Sequence, residues 1–151
     1  MGALLRIVTY TGNDVASLVL RVLLAIVFFG HGAQKVLGWF GGRGLEATMS
    51  YFTKVQHIPV IFAVLAIAAE FLGPIGLFVG FLTRIAAFAI AVEMVVAACL
   101  VHLKFGFFIN WSGKQAGEGF EYHIIVLAIA LALTIKGSGS WSIDRLLSRR
   151  T

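Results

Sequence analysis

Ionisable side chains are scarce in this sequence, and several of them lie inside apolar runs. Glu70 and Glu93 are each central in a long apolar stretch, where an ionised carboxylate is costly and the acid must be protonated, paired or hydrated. Acids so placed relay protons or bind a ligand, and two at one depth can share a proton and so titrate apart. The bland alternative is a neutral acid that serves only as hydrogen-bonding glue between helices. His31, Gln34, Lys35 and Gly38 stand at i, i+3, i+4 and i+7, so a helix carries them on one face. Lys35 either donates to a ligand or snorkels to the membrane interface. His102, Glu121 and His123 lie near the ends of other apolar segments. Glu121 and His123 point roughly 200° apart on a helix, so only one of them can face a shared cavity. The expected roles are proton relay for Glu70 and Glu93, and ligand binding for His31, Lys35, His102, Glu121 and His123.

Other chemistries find less support. A haem needs two axial histidines at matching depth on facing helices, for which His31 with His102 is the candidate combination. No two histidines stand at i, i+4, and neither haem nor a metal is expected. Cys99 is the one cysteine, which rules out an intramolecular disulfide and a thiolate metal site. No Gly-x-Gly-x-x-Gly signature is present, so no dinucleotide site is read in the chain.

The elements that position these groups follow from composition. The 151 residues are 60% hydrophobic and 13% charged, with a mean hydropathy of +0.95, far from the balance of a soluble domain. The chain reads as one all-α integral membrane domain, a four-helix bundle. Its formal charge of +5 is then no nucleic-acid signal, because Lys and Arg mark helix ends and contact lipid headgroups. Residues 1–14 read as an interfacial start with Leu4, Leu5, Ile7 and Val8, ending in a helix cap at Asn13 or Asp14. Spans are expected at about 15–37, 59–82, 85–103 and 120–135. The first is longer than a signal-peptide core and has no A-x-A site after it, so it reads as a retained helix.

Between the first two spans, Leu45, Met49, Phe52 and Val55 recur at helical spacing. They predict a short amphipathic helix on the membrane surface, entered through Gly41, Gly42 and Gly44 and closed at Pro59. Gly80 to Arg84 predicts a tight hairpin, since one uninterrupted helix would be about twice as long as the bilayer core is thick. The loop from Phe105 to Trp111 is aromatic, as interface anchors are.

Glu70 falls ~16 Å into its span, near the midplane. Its helical neighbours Ala63, Ala66 and Gly73 are small, as on a face packed against other helices. Pro74 lacks an N–H, so the carbonyl of Glu70 loses its usual helical donor. Glu93 shares a stripe with Ala86, Ala89 and Ala97. Four spans put both termini on one side with seven of the twelve Lys and Arg residues, Arg6, Arg21, Arg84, Lys136, Arg145, Arg149 and Arg150. That side is predicted to be cytoplasmic.

The segments RVLLAIVFFGHGAQKVLGWFGG from Arg21, EFLGPIGLFVGFLTRIAA from Glu70 and EYHIIVLAIALALTIKGSGSWSIDRLL from Glu121 resemble the first, second and fourth helices of the DoxX family, small four-helix proteins of the bacterial inner membrane. The resemblance runs from about Leu18 to Leu147. It implies an inner-membrane, multi-pass protein related to subunits of quinone-reducing oxidoreductases acting on sulfur compounds and to proteins of oxidative stress and detoxification. The family's patterned polar residues match Arg21, Lys35, Glu70, Arg84, Glu121 and Asp144, whereas Glu93, His31 and His102 fall outside the pattern. With that alignment, Arg21 and Asp144 are expected to form a structural ion pair tying the two ends of the chain together.

The preferred expectation is a membrane subunit of a redox system, with a quinone or similar small apolar ligand in a polar-lined cavity shielded by the aromatic loop. A protein partner and an oligomer are both compatible with it. The alternatives are an assembly subunit that docks a soluble oxidoreductase, and a small transporter or proton pathway through Glu70 and Glu93.

Overall fold

A computed structural model describes residues 7–149; the interfacial residues Leu4 and Leu5 and the charges of Arg6 and Arg150 lie outside them. The described residues are helical and contain no strand. Helix α1 (Val15–Val36) begins at Asp14, whose carboxylate accepts from the Ala16 N–H at 3.0 Å, so the cap falls on the second of the two expected residues. It stops where Gly38 takes a left-handed conformation at φ 71°, which costs glycine little. A 3-10 turn (Trp39–Gly41) leads into α2 (Gly44–Ser50) and a π-helical turn (Tyr51–Val55).

The expected surface helix is therefore present, but with a different inward face. Thr48 is buried and donates to the Lys35 carbonyl at 3.2 Å, whereas Leu45 and Val55 are exposed. A polar bond to the last turn of α1, whose carbonyls lack helical donors, sets its rotation.

Helix α3 (Val60–Val79) starts at Pro59 and contains Pro74. It ends at Gly80, φ 68°, and α4 (Thr83–Ala97) starts after Leu82, so the hairpin forms where the charge and the glycine predicted it. Beyond Ala97 the fourth helix continues through a π turn (Ala98–His102) and a 3-10 turn (Leu103–Phe105). After a loop come α5 (Glu121–Lys136) and the short α6 (Ile143–Ser148).

Helix α1 packs on α3, α3 on α4, α4 on α5, and α5 returns to α1. Among the described residues, three stretches are long and apolar enough to cross a membrane, Val15–Val36, Val60–Val79 and Thr83–Phe105. Helix α5, with 16 residues, spans about 24 Å, less than a full hydrocarbon core. Small residues such as Ala25, Ala63, Ala87, Ala91 and Ala130 are buried, while Leu23, Ile26, Phe62, Leu65, Phe88 and Val92 face out. This is how helices pack closely inside a membrane while presenting bulky apolar groups to lipid.

The α3–α4 hairpin is tied to α1 and to the segment after α5 by Arg21 and Asp144, both 1% exposed, though not as an ion pair. The Arg21 guanidinium donates to five backbone carbonyls: Leu77 at 2.7 Å, Phe78 at 2.6 Å, Ser138 at 2.9 Å, Ser140 at 3.2 Å and Trp141 at 2.6 Å. The first two belong to the last turn of α3, where carbonyls have no helical donor. Asp144 caps the other side of the hairpin, accepting from the N–H groups of Leu82 at 2.8 Å and Thr83 at 3.0 Å. The expected direct salt bridge is corrected to two separate caps, because orphan backbone groups outcompete it for each side chain. Burial pushes the Asp144 carboxyl above its ordinary range, against the pull of the Thr83 and Leu82 N–H groups and of Arg21. Arg84, another of the patterned residues, donates to the carbonyls of Tyr10 and Thr134 and holds the same end of the molecule.

Candidate functional site

Helices α1 and α3 run antiparallel, with Arg21 opposite Leu77 and Gly32 against Glu70. In an antiparallel pair, side chains tilted toward their own helix N-termini lean toward one another. Lys35 and Glu70 do so and form an ion pair, with Glu70 5% exposed. The inter-helix register, fixed by the Arg21 carbonyl contacts and by the absence of a side chain at Gly32, brings them level. Lys35 does not snorkel; its ammonium lies 5.7 Å from the centroid of the Phe52 ring, where the ring face attracts a cation.

Across from α3, the Glu93 carboxyl on α4 lies within hydrogen-bonding reach of the Glu70 carboxyl. Its Oε2 is buried and receives no N–H or O–H from the described residues. Both acids thus turn into the bundle and meet at one level.

A cavity of about 390 Å³ opens beside this cluster, with His31, Lys35, Glu70, His102 and His123 in its wall. All four long helices contribute, since Met94 on α4 and Tyr122 on α5 complete it. Glu93 stands behind Glu70 rather than in the wall. His102 and His123 face each other with ring centroids 4.2 Å apart, and His102 Nδ1 meets the Glu118 carbonyl at 2.8 Å. His31 packs edge-on against Phe28 instead, at 6.3 Å. No group of three His, Cys, Asp or Glu side chains placed to hold a metal occurs among the described residues.

Of the two polar residues at the start of α5, His123 faces the cavity. Glu121 points to the loop and accepts from the Ile109 N–H at 3.1 Å, which removes it from the ligand-binding set and makes it a loop anchor. The aromatic cover also needs correction. Phe108 and Trp111 are 66% and 86% exposed, as interface anchors are, and the loop residues that reach the cavity are Ile109, Glu118 and Gly119.

Sequence reasoning missed Tyr122. Its hydroxyl is buried with no hydrogen-bond partner among the described residues, as is His123 Nδ1. Buried polar atoms without partners are costly and rare, and these two are adjacent in one cavity wall. The signal was present as a hydroxyl at the start of an apolar helix, masked by the habit of tyrosine at membrane interfaces.

Comparison with known proteins agrees with a helical membrane chain. The DoxX family model matches residues 16–103. "Inner membrane protein YqjF" of Escherichia coli K12 is 32% identical over 138 residues, covering 91% of this chain and 96% of its own. "Putative oxidoreductase CatD" of Bacillus subtilis 168 is 31% identical over 121 residues, covering 80% of each chain. An uncharacterized protein of Haemophilus influenzae Rd is 26% identical, covering 91% of this chain and 87% of its own. No solved structure matches the chain. The matched segment includes the Arg21 anchor, the Lys35–Glu70 pair, Glu93 and His102, and the chain belongs to the DoxX family.

Proposed function

We propose that this protein is a subunit of a redox system in the bacterial inner membrane, with four passes and both termini cytoplasmic. It holds a quinone, or a similar small apolar molecule with a polar head, in the cavity between the four long helices. The observation that carries this reading is the convergence of the Lys35–Glu70 pair, backed by Glu93, and the His102–His123 pair at one cavity of about 390 Å³. The name of the CatD relative adds a redox link.

In this role the Lys35 ammonium and His31 donate hydrogen bonds to a ligand carbonyl, while Tyr122 and His123 offer partners from α5. A quinone supplies the electron-accepting carbonyls; the protein supplies orientation and protons. One ammonium balances one carboxylate, so the second carboxyl of the Glu70–Glu93 pair carries an exchangeable proton between them. Such a set can deliver a proton without leaving an unpaired charge in the bundle. Electrons come from a protein partner or from a second quinol, since the chain carries no dinucleotide signature.

A through-membrane proton pathway is less well supported. Between Glu70 and Arg21 the bundle is filled by Leu24, Leu77, Ile90 and Leu133, all 4% exposed or less. Those apolar contacts leave the cavity blind on that side.

The test is titration of the purified protein in nanodiscs with a short-chain quinone, followed by tryptophan fluorescence quenching. Glu70→Gln is expected to weaken binding about tenfold, the worth of one charge-assisted contact. No saturable quenching, or equal affinity in the variant, would overturn the reading.

A further inference from the structure

Lys35 borders two cavities. Besides the one between the long helices, a second of about 410 Å³ lies between the end of α1, the glycine turn and α2, and Lys35 is in its wall too. This second space is polar. Gln34, Arg43, Thr48 and Tyr51 line it, with Arg43 exposed at its rim and 5.7 Å from the Tyr51 ring. The chain can close around it only because Gly42 passes flat against the backbone of Gln34, where a Cβ would overlap main-chain atoms.

The π-helical turn Tyr51–Val55 sets the rings that hold both cations, Tyr51 for Arg43 and Phe52 for Lys35. An extra residue in one helical turn rotates the following side chains, and such turns are frequent at functional sites. Here it places adjacent rings against two cations from different elements. The Lys35 side chain keeps 28% of its surface exposed while paired with a carboxylate that is almost sealed. Lys35 lines the space on the α2 side as well.

From this geometry we infer that the space between α1 and α2 is an aqueous vestibule through which the Lys35–Glu70–Glu93 set exchanges protons with the water on that side of the membrane. The ligand enters and leaves by the other cavity, and Lys35 is the partition between the two. As one proton passes from the carboxyl pair toward the ligand cavity, one passes from the Lys35 ammonium to the Glu70 carboxylate, and vestibule water returns one to Lys35. Charge in the set is unchanged after each cycle. The separation lets the site refill while an apolar molecule still blocks the main cavity. The proton-exchange role rests on the function proposed above; the existence of the vestibule does not.

Single cysteines in a Cys99→Ser background test it. Thr48→Cys and Lys35→Cys report the vestibule, and Ala97→Cys reports the ligand cavity alone. In nanodiscs, a permanently charged methanethiosulfonate reagent is expected to modify Thr48→Cys and Lys35→Cys at least tenfold faster than Ala97→Cys. Thr48→Cys leaves the Lys35–Glu70 pair intact, so the experiment stands even if Lys35→Cys does not fold. An inert Thr48→Cys, or an Ala97→Cys as reactive as the vestibule cysteines, would overturn the vestibule. Quinone titration fails or succeeds independently of these rates, so the two readings are separable.

Discussion

Gly32 of α1 lies against the backbone carbonyl of Glu70 on α3, so closely that a Cβ at position 32 would overlap that carbonyl and the Cα of Phe71. The carbonyl is the one released from helical hydrogen bonding by Pro74, four residues on, as the missing proline N–H requires. Two breaks in helix regularity thus coincide. A glycine without a side chain meets a carbonyl that lacks its i+4 donor, and the contact sets how near Lys35 comes to Glu70.

Gly32→Ala is therefore expected to push α1 from α3 and loosen the ion pair, costing about 1–3 kcal/mol as overpacking does. Gly30→Ala is the control, since nothing lies within 4 Å of a Cβ there. It should leave stability unchanged or raise it slightly through helix propensity. Thermal unfolding in one detergent measures both. Equal melting temperatures for the two variants would show that the close approach does not constrain the bundle.

Arg21→Met leaves five backbone carbonyls without the guanidinium that now satisfies them. The expected loss is on the order of 3–5 kcal/mol, the cost of breaking a buried charged network from one side. Arg21→Lys is expected to recover only part of it, because an ammonium has three donors and no planar fork. Chemical unfolding followed by intrinsic fluorescence gives the order wild type, Lys, Met. A Lys variant as stable as wild type would mean that charge alone, rather than the fork, closes this end.

Three of the expected spans were legible in the sequence because hydropathy acts on each helix separately. So was the hairpin at Gly80, where a turn-capable residue stands beside a charge. What one helix cannot report is its register against another. That is why the pairing of Lys35 with Glu70 went unread, and why Arg21 and Asp144 read as partners. Opposite charges are visible in a sequence; the orphan carbonyls at the end of α3 and the orphan N–H groups at the start of α4 are not. Tyr122 was missed for a related reason, since its hydroxyl is distinctive only once its surroundings prove to lack a partner.

Stability should depend on acidity through Asp14. Its bonds with Lys136 at 2.7 Å and Ser17 at 2.8 Å hold the carboxyl at about 2, below its ordinary 3.8. A group whose folded value is depressed stabilises the fold above its unfolded value and loses that contribution as pH falls through the folded one. The window is pH 4 to 2. Asp14→Asn keeps a good helix cap but removes the charge, so its melting temperature should lie below wild type at pH 6 and meet it near pH 2. A gap that persists at pH 2 would assign the effect to capping rather than to the Lys136 pair.

The pairing of Lys35 with Glu70 predicts strong non-additivity. Lys35→Met leaves two carboxyls facing each other without a cation, and Glu70→Gln leaves an ammonium beside Glu93 alone. Each single change is expected to cost about 2 kcal/mol, below the full price of a buried pair because Lys35 keeps contact with solvent. The double variant removes both charges and leaves Glu93 free to stay neutral, so it should be more stable than the sum of the singles by about 1–2 kcal/mol, as residues in one network are. Thermal unfolding of the four proteins completes the cycle. Additive losses would mean that the ion pair contributes nothing of its own, and the proton-carrying set built on it would lose its central member.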